Sequence, residues 1–506
     1  MKYTKLISGT DIRGVASEGV KNVHVELTDD VIKELAYGFI LWCKENLNKS
    51  PSDLNIAIGR DSRISGERIA NALCEKLLEY GVTVYLTGLS STPSMFYATL
   101  DIPVDAAIEI TASHHPFNRN GLKFFTKNGG FEHSDIEKII DYADTAEDIS
   151  LKKEGKIIEF NYMEIYSKRL REMIKKGVNA ENYEKPLEGF KITVDAGNGA
   201  GGFYANKVLE ALGADVSSSQ FLNPDGMFPN HIPNPENEEV MESIRNAVIK
   251  NKADLGIIFD TDVDRCGAVD EKGEEINRNA LIALASYIAL KDNEGGTIVT
   301  DSITSDGLTD FINHHLKGVH HRFKRGYKNV INEAKRLNNM GINAPLAIET
   351  SGHAAMRENY FLDDGAYLVT KIVILMAELK KEGKKLSNIL DNLVVPKESE
   401  ELRFNILSDH FKEIGEMVID KLKEFAVKNN ITIVPNNYEG IRLSFDKDNG
   451  DGWLLLRLSV HDPVMPLNIE SNIEGGSKII AHKLYKFFEK SAFFTVDISS
   501  LKKFIK

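Results

Sequence analysis

Thr111-Ala-Ser-His-His-Pro116 places one hydroxyl, Ser113, next to two imidazoles, His114 and His115. The apolar run that begins after Asp105 reads as a buried strand, so Ser113 falls at a strand exit among small residues, where a substrate could reach it. Pro116 blocks simple continuation of the ladder. Lys123, in Asn120-Gly-Leu-Lys123, brings a cation back towards the same region. A polar turn is the plain alternative. A second cluster, Asp260-Thr-Asp-Val-Asp-Arg265, alternates three carboxylates along a short loop. Two such charges ~4 Å apart repel by ~4 kcal/mol at an effective dielectric near 20. A cation would relieve that, and oxygen-only ligands select a hard one such as Mg²⁺ or Ca²⁺. Glu271 falls at the twelfth position of an EF-hand count, but Arg265 stands where that loop needs glycine, and the flanks read as strands.

Three further patterns carry polar chemistry. Gly197-Asn-Gly-Ala-Gly-Gly202 has the G-x-G-x-x-G spacing between a strand and a helix, the dinucleotide fingerprint, without an acidic residue at the end of the next strand. A tight packing turn is the other reading. Lys324, Arg325 and Lys328 lie among Phe323 and Tyr327. Such clusters can bind single-stranded nucleic acid, yet one short cluster on an acidic chain suits a small phosphate ligand or a solvated loop. Arg457, Ser459 and His461 offer a cation, a hydroxyl and an imidazole on one loop, donors that suit phosphate. With Glu349-Thr-Ser-Gly-His353, the set matches phosphoryl transfer to a small polar molecule in a central cleft.

The elements that must hold these loops repeat. Asn55–Asp61 reads as a strand, Gly66–Tyr80 as a helix and Val82–Leu86 as a strand, before the Ser113 strand. Lys191–Asp195, a helix over Phe203–Leu212 and a strand over Asp215–Phe221 precede Asp254–Phe259 and the acidic loop. Thr297–Thr300 and a helix over Ser305–Leu316 precede Pro345–Ile348 and Glu349. Strand–helix alternation implies parallel βαβ units. In each repeat the polar motif lies past an apolar strand, where α/β sheets gather ligands. From about Pro396 the pattern changes to alternating strands, Glu401–Ile406, Gly440–Phe445 and Trp453–Ser459. The fold class expected is α/β, with four domains around a central cleft: three similar mixed α/β domains and a smaller C-terminal α+β domain. Their expected bounds are 1–160, 161–294, 295–394 and 395–506.

Bulk properties narrow the class. A chain of 506 residues exceeds one core. Hydrophobic content of 42% and charged content of 27% are ordinary for a globular protein. A net charge of −13 argues against general nucleic-acid binding. Cys43, Cys74 and Cys266 have no metal-ligand spacing and suggest a reducing compartment. The first residues lack a signal-peptide core, and no run reaches the ~20 apolar residues of a membrane span. The expected location is cytoplasmic.

As a set, in order along the whole chain, these motifs resemble those of the α-D-phosphohexomutases (phosphoglucomutase/phosphomannomutase). Thr111–Pro116 resembles the phosphoserine signature and Asp260–Arg265 the metal loop. Glu349–His353 is similar to the sugar loop, Arg457–Pro463 to the phosphate loop, and Thr10-Asp-Ile-Arg-Gly14 also fits. The resemblance implies an isomerase that moves phosphate between O1 and O6 of a hexose through a hexose 1,6-bisphosphate. Ser113 would carry the phosphate, and Asp260, Asp262 and Asp264 would hold Mg²⁺ with it. Lys123 and His353 match general acid/base positions. Arg265, Arg13 and His114 complete the catalytic group. Glu349 and Ser351 would hold sugar hydroxyls, and Lys324, Arg457, Ser459 and His461 the non-reacting phosphate. Small-molecule hexose phosphates would be the partners, with no nucleic acid, no membrane and the oligomeric state unknown. Three motifs depart from the family's usual residues: His115 for Asn, Thr350 for Met or Gln, and Val460-His461 for Gly-Thr or Asn-Thr. The Ser-Gly-His ending favours glucose or mannose. A glucosamine or N-acetylglucosamine phosphate mutase is the runner-up. A metal-dependent sugar phosphatase and a non-catalytic sugar-phosphate or dinucleotide binder are the alternatives of another class.

Overall fold

Ala106–Ile110 is buried at every position, as a central strand is when both faces of a mixed sheet are covered. Its neighbours are Asn55–Arg60, running parallel, and Arg119–Thr126, running antiparallel. The computed structural model that contains it describes residues 3–145, 154–459, 462–491 and 493–506. These divide into two units: Met1–Leu281 with Ser351–Ile389, and Ile282–Thr350 with Leu390–Lys506.

In the first unit the leading sheet runs Ile7–Ser8, Asp11–Val15, Arg119–Thr126, Ala106–Ile110, Asn55–Arg60, Thr83–Leu89, Lys156–Glu159. Helix Asp29–Leu47 starts at Thr28, whose hydroxyl accepts from Val31 N, and Asp29 and Asp30 fill its first turn. Both features favour a helix start. Its apolar stripe, Ile32, Leu35, Ala36, Phe39, Ile40 and Cys43, shares one core with Ile136, Ile139 and Ile140.

The next sheet has the order Glu275–Ile276, Cys266–Val269, Leu255–Phe259, Ile192–Asp195. The expected helix over Phe203–Leu212 forms as π-type turns, Tyr204–Leu209, closed by a 3-10 turn, Glu210–Leu212. The expected strand over Asp215–Phe221 does not form. Two isolated bridges, Lys191 to Asp215 and Asp195 to Gln220, are all that remain of it. Serine hydroxyls take the ladder's place: Ser218 Oγ lies 2.6 Å from Thr193 Oγ1, and Ser219 Oγ accepts from Val194 N at 3.0 Å. The Ser219 bond takes a Val194 N–H that a paired strand would otherwise receive.

The segment Ser351–Ile389 adds a hairpin, Ala354–Met356 with Leu362–Asp363, and the helix Gly365–Lys381. A run of touching rings, Tyr97–Tyr166–Phe203–Tyr204–Phe259, crosses the first unit with centroids 5.4–6.2 Å apart. Each such pair contributes about 0.5–1.5 kcal/mol beyond its buried area. Tyr166 donates to Asp364 at 2.7 Å, and Tyr204 meets Thr370 at 2.9 Å, so the run also anchors that helix.

In the second unit Thr297–Thr300 lies between Val319–Arg322 and Leu346–Ile348, parallel to both. The helix capped by Ser305 is α-helical only over Asp306–Asp310 and continues as π-type turns, Phe311–His315. Beyond Leu390 an antiparallel sheet runs Thr432–Ile433, Ile441–Phe445, Gly452–Leu456, Val464–Ser471, Glu398–Ile406, Val496–Asp497. Helices Phe411–Lys428 and Gly476–Ser491 share its core, built on Phe404, Leu443, Leu454, Met465 and Ile469. This is the smaller α+β domain. No helix among the described residues is long and apolar enough to cross a membrane.

Candidate functional site

Ser113 leaves its strand in a left-handed conformation, φ 51°, and is 3% exposed. A residue with a Cβ takes that conformation only where its surroundings impose it. Its N–H donates to Thr111 Oγ1 at 2.9 Å, and its hydroxyl donates to Asp260 Oδ2 at 3.0 Å. Arg265 Nη2 approaches the same hydroxyl at 3.3 Å and His114 Nδ1 at 2.7 Å. Burial and the Arg265 charge push the His114 imidazole down to about 2, and burial with Arg13 pushes His115 down to about 4. Both rings are therefore neutral at pH 7, and His114 Nδ1 accepts from Arg265. Arg13 is itself paired with Asp11 at 2.7 Å.

Asp260–Arg265 is the turn between Leu255–Phe259 and Cys266–Val269, which pair antiparallel. Strand flanks exclude the helix–loop–helix of an EF-hand. Val263 sits in the turn at φ 66° with its side chain buried, and its carbonyl accepts from Gly365 N at 3.1 Å. A β-branched residue at positive φ is strained. The same turn carries Asp260, Asp262 and Asp264, all buried, with ligand oxygens within 4.8 Å of one another. Thr92, the first residue of the helix Thr92–Asp101, donates its N–H to Asp262 O at 2.9 Å and its hydroxyl to Asp262 Oδ2.

Lys123 Nζ lies 2.8 Å from Asp262 Oδ2 and 2.5 Å from Asp264 Oδ2. Burial opposes its charge, but the two carboxylates outweigh that and hold it above the usual lysine range. Burial also raises Asp260, with Asp264 and Asp262 adding to it. Asp264, although burial works against its charge, is held below the carboxylate range by Lys123. Asp262 Oδ1 and Asp264 Oδ1 are buried without a hydrogen-bond partner, Arg265 Nε standing 4.0 Å from the latter. Orphaned buried carboxylate oxygens with no sulfur or nitrogen ligand among the three fit a hard divalent cation.

His353 joins this group through an antiparallel bridge to Arg265. Gly352, at φ 93°, is required there, since a Cβ would meet Cys266 O at 2.7 Å. His353 Nδ1 is hydrogen-bonded to Asp363 Oδ2. Burial works against the imidazolium, but Asp363 outweighs it and raises His353 to about 9.

The G-x-G-x-x-G run serves packing. A Cβ at Gly199 would lie 2.7 Å from Thr261 O and one at Gly201 2.9 Å from Phe259. The glycines thus let the turn close against the acidic loop, with Ala200 N donating to Thr261 O at 2.8 Å. The space a dinucleotide fingerprint keeps open is filled by protein.

Ser113, His114, Lys123, Asp260, Asp262, Asp264, Arg265, Arg13, Ser351 and His353 belong to the first unit; Lys324, Glu349, Arg457 and Ser459 belong to the second. In the second unit, Gly326 N donates to Glu349 Oε1 at 2.5 Å, next to the exposed Lys324. Arg325 N donates to Glu439 Oε1 at 3.0 Å, and Glu439 also accepts from Ser302. Burial lowers Arg457 from the usual arginine range, while Glu439 works the other way. Ser459 Oγ accepts from Asp462 N at 3.3 Å. Thr350 donates to Asp301 Oδ2 at 2.6 Å. His461 lies outside the described residues.

The sequence reading missed Thr92, Asp363 and Glu439 as partners of these groups. An acidic residue ten positions after His353 across a hairpin was the one available signal for Asp363.

Models described as phosphoglucomutase/phosphomannomutase α/β/α domains I, II and III match residues 5–149, 166–273 and 277–396. A phosphoglucomutase/phosphomannomutase of Thermococcus kodakarensis is 30% identical over 472 residues, 93% of this chain and 95% of that protein. A phosphomannomutase of Escherichia coli is 30% identical over 493 residues, 93% of this chain and 96% of that one. The crystal structure of a phosphoglucomutase/phosphomannomutase family protein from Burkholderia thailandensis matches 97% of this chain and 98% of its own, with a TM-score of 0.77 at 24% identity.

Proposed function

We infer the reaction from one premise: this chain belongs to the phosphoglucomutase/phosphomannomutase family, among the α-D-phosphohexomutases, and is an enzyme of the isomerase class. It acts as a hexose phosphate mutase. In the reading we propose, Ser113 carries the phosphoryl group. A sugar hydroxyl oxygen attacks phosphorus, the bond from phosphorus to Ser113 Oγ breaks, and the product is a hexose 1,6-bisphosphate. After the bisphosphate reorients, Ser113 Oγ attacks the phosphorus at the other end, the bond from that phosphorus to the sugar oxygen breaks, and the freed sugar hydroxyl takes up the proton. The observation that carries this is the Ser113 hydroxyl, buried and bonded to Asp260, one of three clustered carboxylates.

Asp260, Asp262, Asp264 and the phosphorylated Ser113 would hold Mg²⁺, which supplies charge neutralisation to the transferring group. Arg265, within reach of Ser113 Oγ, steadies that group's charge. Lys123 and the His353–Asp363 pair handle the proton of the attacking or leaving sugar hydroxyl. Both are in their proton-bearing forms at pH 7, ready to donate; the reverse direction uses the same groups as acceptors. Lys324, Arg457, Ser459 and His461 grip the non-reacting phosphate, and Glu349 and Ser351 the sugar hydroxyls. Domain bounds near 160, 295 and 395 and a cytoplasmic location complete the reading.

Glucose and mannose phosphates are the preferred substrates, by at least about tenfold over N-acetylglucosamine phosphate. The test supplies the three sugar 1-phosphates with Mg²⁺ and a trace of hexose 1,6-bisphosphate, comparing kcat/KM, while mass analysis locates the enzyme-bound phosphate. Phosphate on Ser113 and loss of turnover in Ser113→Ala are expected. Phosphate elsewhere, or release of free phosphate at the rate of turnover, refutes the reading.

A further inference from the structure

Arg63 is 1% exposed, and its guanidinium is spent almost entirely on backbone carbonyls of one loop. Nη1 donates to Pro116 O at 2.8 Å and Arg119 O at 2.9 Å; Nη2 donates to His115 O at 2.6 Å and to Ser113 O. Nε lies 3.3 Å from Asp61 Oδ2, whose other oxygen accepts Arg63 N at 2.9 Å. Asp61 N is in turn tied to Ile110 O at 3.1 Å, at the end of the strand that delivers Ser113. The Phe228 ring lies 5.3 Å from the guanidinium carbon, and a Cβ at Gly226 would meet Arg63 C at 2.7 Å. Arg63 touches none of the three aspartates and none of the proton-handling groups.

Between the strands Ala106–Ile110 and Arg119–Thr126 the carbonyls of Ser113 and His115 have no ladder to join, and a carbonyl turned away from water must be paired; Pro116 O also accepts Arg119 N at 3.0 Å. A planar guanidinium can take several at once, because its donors are fixed in a fork. An ammonium is a point charge that cannot span the same four acceptors. The carbonyl of Ser113 itself is one of the four, so the clamp bears directly on the residue held at φ 51°.

We propose that Arg63 is a positioning residue for the reactive serine: by clamping four carbonyls from Ser113 to Arg119 it holds Ser113 in the left-handed conformation that aims Oγ at the phosphoryl group. The inference rests on the reading of Ser113 as the phosphoryl carrier. Misplacing a reacting group by about 1 Å costs on the order of 100-fold in rate. The sugar- and phosphate-gripping residues are untouched, so KM should hold.

The experiment compares Arg63→Lys, Arg63→Ala and Ser113→Ala with the wild type, in the full chain. Circular dichroism and melting report folding; kcat, KM and single-turnover transfer from the phosphorylated enzyme report function. Arg63→Lys should fold, keep KM within roughly threefold and lose about 100-fold in both kcat and the transfer rate. Arg63→Ala should regain at least about tenfold in transfer rate when guanidinium chloride is added at low millimolar concentration, well below denaturing levels, as the free cation refills the clamp. The proposal is overturned if folded Arg63→Lys transfers within threefold of wild type, if KM rises while kcat holds, if guanidinium restores nothing, or if neither variant folds. An active Ser113→Ala would instead overturn the reading of the serine.

Discussion

Replacing Lys123 by Met separates the lysine's role in holding the acidic loop from its role in the reaction. The ammonium lies 2.8 and 2.5 Å from two carboxylates in a site where Lys123 is only 6% exposed. At an effective dielectric near 20 each attraction amounts to about 6 kcal/mol, most of it offset by desolvating the charges. Removing one member of such a buried set destabilises by about 3–5 kcal/mol, because the remaining charges lose their partner. Unfolding entropy of roughly 2 cal/mol/K per residue over the first unit converts that to a melting shift of roughly 5–8 °C. The same ammonium covers Oδ2 of two ligands that a divalent cation needs. Lys123→Met should therefore melt lower than wild type in chelator and recover most of the difference in millimolar Mg²⁺, gaining more from the metal than wild type does. Differential scanning calorimetry with and without Mg²⁺ reads both quantities. Equal melting temperatures in chelator, or an equal Mg²⁺ increment for both proteins, would falsify the account of Lys123 as the loop's internal counter-ion.

Asp363→Asn should lower the His353 pKa from about 9 towards the ordinary 6.5, since the carboxylate is what outweighs burial. The corresponding limb of the pH–rate profile should move the same way, and an unmoved limb assigns it to another group. Because the folded value is raised, the pair's stabilisation is complete below pH 6.5 and is lost as pH rises through 9; in Asp363→Asn that loss should disappear from melting curves taken across the window. Exhaustive chelation should abolish turnover and Mg²⁺ restore it, whereas Asp264→Asn should raise the Mg²⁺ concentration needed; full activity in chelator contradicts the carboxylate cluster as a metal site. In a Ser113→Ala background, Arg457→Ala should weaken hexose 1-phosphate and hexose 6-phosphate binding alike by roughly 10- to 100-fold, the worth of a lost charged hydrogen bond. A loss confined to one of the two ligands means that the sugar's ends are held by different loops.

The residues that announce chemistry by type were legible, and so were the strands that deliver them. Leu255–Phe259 and Leu346–Ile348 are continuous apolar runs, Ala106–Ile110 is one broken only by the buried Glu109, and the polar motif begins just past each. What sequence could not show was pairing over long separations. Arg63 looks like any loop arginine, because its partners are carbonyls about fifty residues away that carry no side-chain signature. Thr92 reads as an unremarked helix start, yet it grips Asp262, 170 positions on. The strand expected over Asp215–Phe221 is reduced to two bridges, where Ser219 Oγ takes the N–H of Val194, 25 positions back, that a ladder would have used. The G-x-G-x-x-G run gave its spacing truly but not its purpose, since glycine serves close packing as readily as it serves a ligand.

The first unit is interrupted in sequence: Met1–Leu281 is completed only by Ser351–Ile389. A ribosome therefore emits Ser113 and the acidic loop well before Asp364 and Thr370, the partners of Tyr166 and Tyr204, and before Gly365, whose N–H takes the carbonyl of strained Val263. Until then two tyrosine hydroxyls and a left-handed valine wait unsupported, while a span of about seventy residues intervenes. Contacts this far apart in the chain close slowly, and the unfinished unit exposes apolar surface meanwhile. The segment from Ser351 to Ile389 is thus what closes the first unit, and the partners of Tyr166, Tyr204 and Val263 arrive only with it.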